Sequence, residues 1–119
     1  MAKGDDIQDR LINFSVDIIK LCEKLPETQS GKHLADQLLR SGTSPASNYG
    51  EARGAESRKD FIHKLGIVLK ELNESYIWLE IIKRSKMLSS ETLTQVSEEC
   101  IQLAKIMNSS ISTARIKNK

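Results

Sequence analysis

Aromatic side chains are scarce in this chain, with one Trp, two Tyr and two Phe among 119 residues. A protein that reads single-stranded bases stacks them on several aromatic rings, so sequence-specific reading of that kind is excluded. Only two prolines interrupt the chain, which leaves long stretches free to be helical. The two cysteines, Cys22 and Cys100, lie far apart in apolar stripes without metal-ligand spacing. They read as buried free thiols of a reducing cytoplasm, with a disulfide across the fold as the alternative. Charge of one sign is missing too: the net charge of +2 falls short of the basic excess of a dedicated nucleic-acid binder, although local clustering can compensate. No run approaches the ~18 apolar residues that span a bilayer, and the amino-terminal MAKGDDIQDR lacks a signal-peptide apolar region. The expectation is a cytoplasmic protein with no membrane partner.

Catalytic signatures are absent as well. There is no G-x-x-x-x-G-K phosphate loop, no G-x-S-x-G and no Cys–His pair close in sequence. His33 and His63 lack a second His, Cys or carboxylate in a ligand arrangement, and the Glu-x-x-His pairs of bundle di-iron sites do not occur. Both histidines read as helix-surface residues. The chain therefore reads as a non-enzyme, with no cofactor, metal or small-molecule substrate expected.

What is present is helix. Hydrophobic residues at 39% and charged residues at 29% suit one ordered, soluble domain over 1–119, rich in Leu, Ile, Lys and Glu. A first helix is expected over about residues 5–24, its stripe running Ile7, Leu11, Phe14, Ile18, Leu21, Cys22 and Leu25, with Pro26 as the stop. Ser30 is a candidate N-cap for a second helix over 30–53. Ser57 and Asp60 form a capping start for a third over 57–86, with Phe61, Leu65, Val68, Leu69, Leu72, Tyr76 and Leu79 facing the core. Ser89 or Ser90 opens a fourth, over 90–115, whose Leu93, Val96, Cys100, Leu103, Met107 and Ile111 alternate steps of three and four, the narrow seam of a bundle. The closing RIKNK is expected to fray. Short links between long amphipathic helices imply antiparallel neighbours, hence an all-α, antiparallel up-down four-helix bundle.

The segment Arg40–Arg53, RSGTSPASNYGEAR, carries a conflict. By composition it is a loop, since Ser41, Gly42, Ser44, Pro45, Ser47 and Gly50 are breaker residues. By spacing it is a helix, with Arg40, Ser44, Asn48 and Glu51 stacked along one side and Leu34, Leu38, Gly42, Pro45, Tyr49 and Ala52 along another. The spacing reading is preferred, with a kink near Ser41 where Pro45 removes a backbone hydrogen bond. The polar stripe reads as a structural network able to cross-bond Glu71 or Glu74.

Two helices carry more apolar surface than a bundle needs. Ile12, Val16 and Ile19 lie away from the core face of the first; Ile67, Trp78 and Ile81 do so on the third, with Glu71 and Glu74 between them. Such stripes point to self-association with Trp78 as anchor. Arg53, Arg58, Lys59 and Lys64 could meet phosphates, although Glu51, Glu56 and Asp60 dilute their field.

Three motifs meet a known pattern: R-S-G-T-S-x-x-x-N-Y-x-E-A at Arg40 to Ala52, S-x-x-D-F-I-x-K-L at Ser57 to Leu65, and K-E-x-x-E-x-x-x-W-L at Lys70 to Leu79. They resemble the bacterial four helix bundle protein family, also called 23S ribosomal RNA intervening-sequence proteins. The resemblance covers most of the chain. It implies a four-helix bundle assembled as a homopentamer around a central channel, and it extends to the accessory protein of diversity-generating retroelements, a basic pentamer that works with a reverse transcriptase and nucleic acid. Pro45 and Ser47 depart from the family pattern, which carries an apolar residue or glycine and an alanine there. The family name reflects genes placed within ribosomal RNA genes and establishes no activity. Two classes of function stay open: an adaptor that binds RNA, DNA or a nucleic-acid enzyme complex, and a structural or protein-partner bundle with no nucleic-acid affinity.

Overall fold

The computed structural model describes residues 2–117. Four helices make up the chain: α1, Asp5–Glu23; α2, Gln29–Arg53; α3, Arg58–Arg84; and α4, Ser90–Lys117. Consecutive helices pack side by side and α1 closes against α4, giving the antiparallel up-down bundle that the short links dictate. The molecule measures 49 × 24 × 20 Å. The long dimension is that of α4, whose 28 residues rise about 42 Å at 1.5 Å each.

One apolar stripe per helix fills the interior. Leu11, Phe14 and Ile18 of α1 meet Leu38 of α2, Leu65, Leu72 and Leu79 of α3, and Leu93, Leu103 and Met107 of α4, all essentially without solvent contact. Each such side chain contributes roughly 1.5–3 kcal/mol relative to exposure.

The Arg40–Arg53 segment is helical, and α2 runs as a single helix with the buried Pro45 inside it. The small residues that suggest a loop serve close packing. Gly42 sits so near α1 that a Cβ there would lie 2.8 Å from both Cγ1 and Cγ2 of Ile18. Along the same seam, α1 donates side-chain hydrogen bonds to α2 carbonyls: Gln8 Nε2 to Ala46 at 2.8 Å, Ser15 Oγ to Gly42 at 3.3 Å and Cys22 Sγ to Ala35 at 3.6 Å. These three donors recur every seven residues, so they share one stripe of α1. On the opposite edge of α2, the buried hydroxyls of Ser41 and Ser75 are hydrogen-bonded at 2.9 Å, and the Ser75 hydroxyl also lies 2.9 Å from the Glu71 carbonyl.

The termini of the helices differ from expectation at three places. Thr28, not Ser30, caps α2: its extended backbone lets Oγ1 accept the Gly31 N–H at 3.0 Å, leaving Ser30 inside the first turn. α3 stops at Arg84 instead of running to Lys86, because Lys86 takes a left-handed φ of 61° and Met87 N–H reaches back to the Ile82 carbonyl at 3.4 Å, satisfying a group orphaned by the helix end. α4 persists to Lys117, so Arg115–Lys117 of the expected frayed tail are helical, with Arg115 and Lys117 in the last turn against the negative end of the dipole; Asn118 and Lys119 lie outside the described residues. Ser57 caps α3 as expected, its Oγ accepting the Asp60 N–H at 3.0 Å.

Candidate functional site

At the end of the bundle where α1 begins and α4 finishes, all four helices or their caps surround a cleft of about 530 Å3. Its origin lies in side-chain size. On α4, Ser109, Ser110 and Thr113 line it, so short hydroxyl residues stand where a Leu or Ile would have closed the seam with α1. α1 itself starts only at Asp5, capped by Gly4 at a left-handed φ of 92°. That glycine lets two side chains close over it: a Cβ there would meet the Tyr49 hydroxyl at 3.0 Å and Arg53 Nε at 3.2 Å. The floor is apolar, made of the Tyr49 ring, Phe61 and the buried Ala114; the rim carries Lys3, Arg53, Arg58 and Lys117. No carboxylate lines the cleft among the described residues.

The electrostatics of this end are mixed but favour anions. Arg53 donates to the Asp5 carboxylate at 2.6 Å and to the Lys3 carbonyl at 3.1 Å, and that hydrogen bond holds the Asp5 carboxyl below the usual carboxylate range. One carboxylate therefore offsets one of four cations. The first turn of α3 adds the positive end of its dipole, while Arg53 and Lys117 sit on the negative ends of α2 and α4. Burial pushes the Tyr49 hydroxyl above its ordinary pKa, with Arg53 pulling the other way. It stays a neutral donor at physiological pH.

Of the four cations proposed from sequence for phosphate contacts, Arg53 and Arg58 border the cleft. Lys59 is exposed on the first turn of α3 outside the lining, and Lys64 is tied to Asp60 at 3.5 Å one turn along the same helix. The sequence reading missed Lys3 and Lys117, which only the topology brings to this end.

The polar stripe of α2 divides. Arg40 reaches α3, donating to Glu71 at 3.0 Å and pairing with Glu74 as well. Ser44 and Asn48 are half-buried and Glu51 is exposed; none joins that network, and Ser44 Oγ is buried without a partner. Glu71 and Glu74 are thereby engaged inside the molecule. On the same side of α3, Trp78 is less exposed in the single chain than its stripe suggests. Trp78 is half-buried against the core, its ring edge-on to His33 with centroids 6.2 Å apart and its indole N–H buried without a partner. Its long side chain folds back over the α2–α3 seam. Ile67 is likewise half-buried, leaving Ile81 as the exposed member of that stripe. The α1 stripe is solvent-facing: Ile12, Val16 and Ile19 are 46%, 42% and 42% exposed, and Leu39 of α2, unnoticed in the sequence, is 39% exposed. Cys22 and Cys100 are free thiols. Among the described residues no cluster of three or more His, Cys, Asp or Glu could hold a metal ion, and no helix is long and apolar enough to cross a membrane.

The sequence matches the 23S rRNA-intervening sequence protein family over residues 5–109, from the first turn of α1 to the cleft-lining Ser109. The chain belongs to that family. A crystal structure of a protein of unknown function from the S23 ribosomal protein family of Bacteroides thetaiotaomicron is 37% identical, with a TM-score of 0.83 over 88% of this chain and 97% of that one. No curated protein matches the chain. Neither similarity indicates a catalytic family.

Proposed function

We propose that this protein is a non-enzymatic, self-associating helical bundle that binds nucleic-acid phosphates, serving as an adaptor on RNA or DNA or on an enzyme complex that works on them. The observation that carries this reading is the convergence of Lys3, Arg53, Arg58 and Lys117 around one end of the bundle, with no carboxylate in the lining among the described residues. A ring of copies would repeat that end and turn a modest patch into a strong one by multivalency. Self-association is supported by the exposed stripe of Ile12, Val16 and Ile19, an apolar face that a monomer would leave in water. Five copies is the number that the family resemblance implies.

Two measurements test the proposal. Light scattering at low micromolar concentration should give a mass well above the 13.4 kDa chain, and Val16→Glu should reduce it; a monomer mass for the parent protein rejects self-association. Retardation of duplex or structured RNA should weaken steeply with salt and depend little on sequence, and replacing Arg53, Arg58 and Lys59 with alanine should flatten the salt dependence. No retardation at low salt would instead favour a structural or protein-partner bundle, a reading supported by the carboxylates that already occupy Arg53 and Lys64.

A further inference from the structure

We propose that the cleft at the end of the bundle is a site for a single phosphate-bearing nucleotide unit, either a free mononucleotide or the phosphorylated terminus of a strand. The second source rests on the nucleic-acid reading above; the first does not.

Size is the first argument. A cleft of about 530 Å3 falls within the ~300–1,000 Å3 range of small-molecule sites. It is far too short for a duplex to lie in, and it ends against the buried Tyr49 and Ala114. Chemistry is the second. A nucleotide presents a flat ring, a hydroxyl-rich sugar and a dianionic phosphate. The cleft offers a counterpart to each: the partly buried Phe61 as a stacking surface, the hydroxyls of Ser109, Ser110 and Thr113 for the sugar, and Arg58 with Lys3 and Lys117 for the phosphate. Arg58 makes no ion pair with any described residue, so its guanidinium is available for bidentate binding. Arg53 is held by Asp5 at 2.6 Å and serves to position the wall. The Tyr49 hydroxyl, beside Gly4, accounts for no side-chain hydrogen bond among the described residues and supplies a further donor.

A bare anion would be satisfied by the rim cations and would gain nothing from Phe61 or the serines. A bare nucleoside would gain nothing from Arg58. Joint dependence is therefore the mark of the proposed ligand.

Isothermal titration of the full chain with adenosine 5′-monophosphate, adenosine and inorganic phosphate tests it. The nucleotide should bind at least about tenfold more tightly than either fragment. Arg58→Ala should remove most of that preference over adenosine, and Phe61→Ala most of the preference over phosphate. Thr113→Glu guards against misfolding: Thr113 is exposed, so the variant should keep the parent circular dichroism spectrum while its carboxylate abolishes nucleotide binding. A parallel arm compares oligonucleotides with 5′-phosphate and 5′-hydroxyl ends. Tighter binding of the phosphorylated end, competed by the mononucleotide, identifies the strand terminus as a source; mononucleotide binding with no effect of the end group identifies the free nucleotide. Should the nucleotide bind no better than inorganic phosphate, or should Thr113→Glu bind it normally, the proposal is overturned. Retardation of RNA that is indifferent to the end group, with no mononucleotide binding, overturns this site while leaving nucleic-acid binding intact. Mononucleotide binding without any RNA retardation does the reverse.

Discussion

The close approach of α1 and α2 makes a sharp prediction about two glycines. Replacing Gly with Ala inside a helix ordinarily stabilises it by about 0.8–1.0 kcal/mol, because glycine loses more backbone entropy on ordering. At Gly66 of α3 a Cβ would meet nothing within 4 Å, so Gly66→Ala should show that gain in full. At Gly42 the same methyl would stand 2.8 Å from two carbons of Ile18 and 3.2 Å from its Cβ. These are atoms near the stem of a β-branched side chain that is 0% exposed, so rotation cannot clear them. α1 must then move, stretching the 3.3 Å bond from Ser15 to the Gly42 carbonyl. Overpacking of this kind costs about 1–3 kcal/mol, which leaves Gly42→Ala between neutral and roughly 2 kcal/mol destabilised after the helix gain. The two variants should therefore differ by about 1–3 kcal/mol. Urea unfolding followed at 222 nm, at one protein concentration because assembly would shift the midpoint, measures the difference if the slope is unchanged. In an Ile18→Ala background, which lacks both Cγ carbons that the new methyl would strike, Gly42→Ala should lose most of its penalty. Equal stabilisation by both alanines would refute the packing argument.

Further outcomes follow from other local features. Lys86→Gly should raise stability by about 0.5–1 kcal/mol in the same assay, since the left-handed φ of 61° strains a side-chain-bearing residue; an unchanged midpoint would mean the turn is not rigidly left-handed. Trp78→Ala should cost the bundle about 2 kcal/mol, less than a fully buried aromatic, while leaving the mass by light scattering unaltered; loss of assembly without loss of stability would restore Trp78 as an interface anchor. Burial, aided by the nearby Glu99 and Asp36 charges respectively, pushes the Cys100 thiol up to about 12 and Cys22 up to about 11. The folded chain thus keeps protons that an unfolded thiol loses near pH ~8.5. This contribution is complete below that pH and declines as pH rises toward the folded values. The urea midpoint should fall between pH 8 and pH 10, and less so in a Cys22→Ser, Cys100→Ala double variant; equal falls would exclude the thiols as the cause.

The helices were legible because each core stripe repeats at three and four, as Leu93 to Ile111 does, and no tertiary contact is needed to see it. The spacing of Arg40, Ser44 and Asn48 outweighed the breaker composition around them for a reason now visible: small residues are what α1 demands of α2 at Gly42 and Ala46. Cap choice was not legible, because Thr28 and Ser30 are equally able to accept an N–H and the turn after Pro26 decides between them. Trp78 is less exposed than its stripe suggests because its position lies between the core and outer faces of α3, and a wheel records where a Cβ points, not where a long ring folds. The cleft was half-visible through Arg53 and Arg58. Lys3 and Lys117 stand near opposite ends of the sequence, where only the folded topology brings them together, and the one local hint was the run of short hydroxyl residues, Ser109, Ser110 and Thr113, where α4 should have carried bulk.

The Ser41–Ser75 hydroxyl pair has a consequence for alignment. Leucine seams are permissive, since sliding one helix past its neighbour by a turn of about 5.4 Å replaces one apolar contact with another. Two buried hydroxyls are not interchangeable with their surroundings. Slipping α2 against α3 by a turn would leave Ser75 its own-helix Glu71 carbonyl but strip the Ser41 hydroxyl of its partner, at about 1–3 kcal/mol for an unsatisfied buried group. In this bundle a bond of 2.9 Å, worth little by itself, acts as a dowel that leaves α2 and α3 a single permitted offset.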